Sequence, residues 1–119
     1  MSKIRDISLF IIALTGLVTA SVAIPQDRIH FLIPGGAGGG WDMTARAVGE
    51  SLSRSGIIEV ASYENLSGGG GGRAIAHLIE TAPRQTNTLM VNSSSFILRS
   101  LLKKFPHSYR DLTPIASVI

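Results

Sequence analysis

"HFLIPGGAGGGWDMTARAVGE", residues 30–50, runs from an apolar stretch through a glycine loop into a helix-like segment. The stretch "RIHFLI" (28–33) is short, mostly apolar and ended by Pro34, the pattern of a buried strand. Beyond the loop, "WDMTARAVGESLSRSG" sets Met43, Ala47, Val48 and Leu52 near helical spacing, and Gly56 stops the helix. Strand, glycine loop and helix in that order are the start of a βαβ unit.

The same order recurs downstream. "IIEVASYE" (57–64) alternates and is rich in β-branched residues, so it reads as a second strand. "NLSGGGGG" is a second bare loop, and "RAIAHLIETA" (73–82) puts Ile75, Leu78, Ile79 and Ala82 on one helical face before Pro83. After the turn "RQTN", "TLMVN" (88–92) is a third strand. "SSS" then opens an apolar helix over 96–105, ended by Pro106. "LTPIASVI" (112–119) predicts a fourth strand. Strands alternating with helices predict an α/β lobe with a parallel sheet, and every strand-to-helix junction then falls on one edge of it. Ligands of open α/β sheets bind at that carboxyl edge. Here its three junctions are built from glycine and serine.

The first residues bear on location. Lys3 and Arg5 precede the apolar run "ISLFIIALTGLV" (7–18), and "TASVA" ends with Ser21 and Ala23 at the −3 and −1 positions of a cleavage site. The run is shorter than the roughly 20 residues a membrane span needs. Residues 1–23 are therefore expected to be a signal peptide, with 24–119 working in the periplasm. Losing two cations and one anion lowers the formal charge from +3 to +2. That charge, thinly spread, does not make a nucleic-acid surface. With 45% apolar and only 16% charged residues, the chain has the composition of a folded domain and not of a disordered one. Cysteine is absent, which excludes a disulfide framework, a thiolate nucleophile and a cysteine metal site.

Bare backbone at a helix N-terminus offers unpaired N–H groups and a partial positive charge, and glycine lets an anion approach them. Phosphate motifs fail letter by letter. Gly35 and Gly40 have P-loop separation, but Trp41 and Asp42 stand where Lys and Ser/Thr are required. The dinucleotide fingerprint fails because Trp41 and Arg73 occupy its third glycine in the two loops. A carboxylate remains, since N–H and hydroxyl donors hold it without a full cation. Ser67 and the Ser93–Ser95 run supply such hydroxyls at the second and third junctions. Arg73 either reaches the anion or stays solvated. Asp42 caps its helix, orients the loop or meets a ligand hydroxyl or ammonium, and Trp41 either walls the pocket or packs in the core.

Catalysis has little support. His30, His77 and His107 are isolated in sequence, no H-E-x-x-H spacing occurs, and Ser93–Ser95 lack a G-x-S-x-G elbow. "SLLK" (100–103) matches S-x-x-K without its partner motifs. No cofactor and no metal are expected, and the chain is expected not to be an enzyme. The competing readings are an exported serine hydrolase using Ser93–Ser95 and a non-functional truncated fragment.

Taken together, "PGGAGGGWDMTAR", "SYENLSGGGGGRAIAHL", "TLMVNSSS" and "YRDLTPIASVI" resemble the substrate-binding proteins of tripartite tricarboxylate transporters, the Bug family of extracytoplasmic solute receptors. The resemblance runs through residues 25–119 in order. It implies a type II periplasmic-binding-protein fold, with two α/β lobes closing on a small organic di- or tricarboxylate held by backbone amides, hydroxyls and water. Carried over by position, the implied ligand contacts are Gly35, Gly36, Gly38, Gly39, Gly40 and Asp42 in the first loop, Ser67, Gly68, Gly69 and Gly70 in the second, and Ser93 and Ser94 in the third. It also implies delivery of that ligand to two integral-membrane subunits of a transporter. On the family's pattern residues 24–119 are the N-terminal part of the first lobe, incomplete at the C-terminus and without the second.

Overall fold

A computed structural model describes residues 26–118, and the expected signal peptide lies outside them. The chain is an α/β fold in which strands β1 (Gln26–Ile33), β2 (Ile58–Asn65) and β3 (Thr88–Met90) form a parallel sheet of order β2-β1-β3. Three helices connect and follow them: α1 (Gly40–Arg54), α2 (Gly72–Thr81) and α3 (Ser94–Leu101). Short 3-10 turns stand at Gly69–Gly71, Ala82–Arg84 and Tyr109–Asp111.

The central place of β1 follows from its composition. Paired to β2 from Gln26↔Ile58 to Ile33↔Asn65 and to β3 at His30↔Thr88 through Leu32↔Met90, it is covered on both sides. Only a continuous apolar run suits such a strand, and Phe31, Leu32 and Ile33 are all buried. Successive side chains point to opposite faces. Phe31 and Ile33 pack with Ala45 of α1, joined by Leu52, Tyr63, Leu89 and Val91. Met90 points the other way, onto a cluster of Ile75 from α2 with Phe96 and Phe105. So α1 covers one face, while α2 and α3 cover the other. Crossing from β2 over β1 to β3 obliges α2 to take the face α1 leaves free.

Helix ends have local causes. At the end of α1, Gly56 (φ 72°) accepts the left-handed turn. Its N–H donates to Ser53 O at 3.1 Å, and Ile57 N–H donates to Leu52 O at 3.1 Å, a Schellman stop. The same pair of bonds ends α3, where Lys103 N–H donates to Ser100 O and Lys104 N–H to Arg99 O, both at 3.0 Å. There a lysine, Lys103, holds the left-handed position (φ 52°). That stop ends α3 at Leu101, short of the helix expected to reach residue 105.

Two expectations are corrected. The fourth strand over 112–119 does not form in the described residues, since 113–118 join no ladder. Pro114 has no N–H to give a ladder. Val118 lies instead beside Thr44, Val48 and Leu52 along α1, with Ile115 left 73% exposed. The core face of α1 is also rotated from the expected one. Met43 is 66% exposed and Ala47 is exposed, whereas Asp42, Ala45 and Gly49 are buried. Gly49 is needed there because a Cβ would meet the Tyr63 hydroxyl and lie 2.9 Å from both Ala61 Cβ and the Phe31 ring.

Candidate functional site

All three strand-to-helix junctions lie at the carboxyl edge of the sheet, as the parallel topology requires. The chain leaves β1 toward one face and β3 toward the other, which makes the β1/β3 boundary a topological switch point. The Gly35–Gly39 loop sits at that boundary.

The loop is held by one buried side chain. Asp42, 3% exposed, occupies the third position of α1 behind the N-cap Gly39. Its Oδ2 accepts from Gly38 N–H at 2.8 Å, and its Oδ1 accepts from Asn65 Nδ2 at 3.0 Å. Arg46 Nε lies 3.1 Å from Oδ1 and 3.0 Å from Oδ2. The hydrogen bond from Arg46, then that from the Gly38 amide and the one from Asn65, hold the Asp42 carboxyl down at about 2 against an ordinary 3.8. Asp42 in turn raises the pKa of Arg46. Asn65 also donates to Gly35 O at 3.0 Å, so the end of β2 grips the loop at both ends. Arg46 is seated in its turn, with its guanidinium 4.8 Å above the Tyr63 ring.

These bonds occupy the Asp42 carboxylate inside the protein. Of the roles open to it, these bonds give it the one that orients the loop. Its charge, which would repel an anion at a helix N-terminus, is balanced by Arg46. Trp41 joins the α1 core cluster, with its ring 3.1 Å from where a Gly35 Cβ would stand.

What remains open is backbone. Gly38 (φ 79°) turns the chain, and Gly39 N–H donates to Gly36 O at 3.2 Å. The amides of Gly40, Trp41 and Asp42 have no acceptor among the described residues, as the first turn of a helix leaves them. Gly36, Gly38, Gly39 and Gly40 are exposed, and a Cβ at Gly38 or Gly40 would meet nothing within 4 Å.

The second glycine run is used differently. Ser67 joins the first loop, its Oγ 4.0 Å from where a Gly36 Cβ would be, and Leu66 N–H donates to Ile33 O at 2.8 Å. Beyond Ser67 the glycines seat α3 and the turn after it. A Cβ at Gly70 would lie 2.7 Å from Arg99 Nη1, one at Gly71 3.0 Å from the Phe96 ring, and one at Gly72 2.8 Å from Phe105 Cβ. Close packing thus accounts for much of this bare backbone. Arg73 lies beside Gly68 and is exposed.

At the third junction Ser93 is the N-cap of α3, and its hydroxyl lies 3.0 Å from that of Ser95. Among the described residues no histidine bonds to either hydroxyl, and no hydrogen bond joins Ser93 or Ser94 to the glycine loops. Two grooves lie away from this edge, one over Ser100–Arg110 and one along α1.

Sequence reading missed Asn65, Arg46 and Arg99. It also treated His30 as isolated, whereas His30 Nδ1 is 2.9 Å from Ser62 Oγ and Nε2 is 3.3 Å from Glu64 Oε2. That cluster lies along β1 and β2. The signal for Asn65 was an amide residue ending a strand just before a glycine loop. For Arg99 it was a lone cation inside "FILRSLL". Among the described residues no acidic, histidine or cysteine cluster suits a metal ion, and no helix is long and apolar enough to cross a membrane. No protein-family model, curated protein or solved structure matches the chain.

Proposed function

We propose that this chain is an extracytoplasmic solute-binding protein that captures a small organic di- or tricarboxylate for a tripartite tricarboxylate-type transporter. The observation that carries the reading is the buried Asp42 carboxylate, bonded to Gly38, Arg46 and Asn65. It stiffens a glycine loop whose following amides are unpartnered. A loop fixed before the ligand arrives loses little freedom on binding. One carboxylate group of the ligand lies on the amides at the start of α1, where N–H donors and the helix dipole favour negative charge. Ser67 of the second loop and the hydroxyls of Ser93 and Ser94 supply further donors on the same edge. The reading requires a periplasmic location, which the layout of residues 1–23 supports, and integral-membrane subunits to receive the ligand.

Thermal unfolding of the chain, alone and with citrate, tricarballylate, succinate, malate, glutamate or terephthalate, tests it. A ligand at a hundredfold its Kd adds about 2.7 kcal/mol. At about 4–8 °C per kcal/mol that raises the midpoint by roughly ten degrees or more. A cooperative melt indifferent to every one of these acids contradicts the proposal.

A further inference from the structure

Two arginines flank the second glycine loop, and among the described residues neither has a counter-ion. Gly68 (φ 138°), Gly69 (57°), Gly70 (64°) and Gly71 (101°) all lie at positive φ, so the turn between them is open to side chains only of glycine size. Arg99 presses onto this turn. A Cβ at Gly70 would stand 2.7 Å from its Nη1, 2.9 Å from its Cζ and 2.8 Å from its Cδ. Arg73 packs its Cδ 3.4 Å from where a Gly68 Cβ would be.

The two arginines arrive from different elements. Arg73 is in the first turn of α2. Arg99 is further along α3, but helical side chains lean toward the N-terminus, which carries its head back to the carboxyl edge of the sheet. The ion pairs of the described residues are His30–Glu64, Arg46–Asp42 and Arg54–Glu50, and they use neither Arg73 nor Arg99. No described group accepts a hydrogen bond from either guanidinium. Around Arg99 the local sequence supplies no acid, since residues 81–110 contain five Lys and Arg and no Asp or Glu. Arginine presents five N–H donors in a planar fork that matches a carboxylate. Ser67, beside Gly36, links this turn to the first loop.

We infer that Arg99 and Arg73 are a specificity-determining pair, taking the second carboxylate of a ligand whose first carboxylate lies on the amides that open α1. The inference rests on the carboxylate-receptor reading of the same edge. Backbone amides hold one anionic group but do not count charges. The arginine pair does, and it selects a ligand with two carboxylates over the same carbon chain with one.

Titration calorimetry of the full chain with succinate and with butyrate, which share four carbons and differ by one carboxylate, tests the pair. Wild type is expected to bind succinate at least tenfold more tightly than butyrate. Arg99→Gln and Arg73→Gln each weaken succinate binding by roughly tenfold and leave butyrate unchanged. Arg99→Lys keeps the charge without the fork and falls between, and its melt with that of Arg73→Gln guards against a misfolded Arg99→Gln. Equal loss for both acids, or no loss for either, overturns the pair while leaving the receptor reading standing. A wild-type chain that binds neither acid nor citrate overturns both.

Discussion

Asn65 Nδ2 donates to Asp42 Oδ1 at 3.0 Å, and this bond ties the end of β2 to the first turn of α1 across the glycine loop. The same amide donates to Gly35 O at 3.0 Å. Replacing it takes this donor from Gly35 O and leaves Asp42 Oδ1 with Arg46 Nε alone. Asn65→Ala is expected to lower stability by about 1–3 kcal/mol, the usual cost of leaving buried polar groups unpaired. Chemical denaturation reads this as a lower midpoint with an unchanged slope.

Asp42 makes the chain acid-sensitive in a defined window. Its folded pKa, about 2, lies below the ordinary 3.8, so the ionised form is favoured by folding. The stabilisation is complete above 3.8 and is lost as pH falls through that value to about 2. Asp42→Asn is expected to be less stable at neutral pH and to show a shallower loss between pH 3.8 and 2. An Asp42→Asn profile parallel to that of the wild type in this window would remove Asp42 as the cause.

Two glycines of α1 carry opposite expectations. At Gly40 a Cβ meets nothing within 4 Å, so Gly40→Leu is expected to change stability by no more than about 0.5 kcal/mol. The same change covers the amides at the head of α1 and is expected to weaken citrate binding at least tenfold. Gly49→Val fills the contact with Tyr63, Ala61 and Phe31 and is expected to cost at least about 1–3 kcal/mol through overpacking. Melts and citrate titrations of the two variants separate cradle from core.

Lys103 pays for a left-handed conformation that glycine adopts freely. Lys103→Gly is expected to stabilise the chain by up to about 1 kcal/mol, less the backbone entropy that glycine adds to the unfolded state. Equilibrium unfolding of the variant checks the sign.

The alternation of strands and helices was legible because Gly and Pro punctuate the chain at Pro34, Gly56, Pro83 and Pro106. The parallel sheet followed from that alternation. The rotation of α1 was not legible, because a buried Asp42 and a buried Gly49 contradict the apolar pattern. Asp42 is tolerated inside by Arg46, Asn65 and the Gly38 amide, and Gly49 by the aromatic pair Phe31–Tyr63, stacked at 5.5 Å. Asn65 is 23 residues from Asp42 and became part of the site only when β2 paired with β1. The packing role of the second glycine run was not legible, because composition does not separate a glycine that admits a ligand from one that admits Phe96 or Arg99. The expected fourth strand failed for a related reason. Its apolar residues suit a strand, but Pro114 withholds a donor, and Ile115 and Val118 stay exposed.

The central claim is that backbone at the head of α1 receives a carboxylate, and backbone amide chemical shifts during a citrate titration test it most directly. The account predicts saturable shifts at Gly40, Trp41 and Asp42 with one dissociation constant, and none at Gly56 on the opposite edge of the sheet. Amides of residues 36–42 that stay unmoved at saturating citrate, or shifts centred on the Ser100–Arg110 groove, would contradict it.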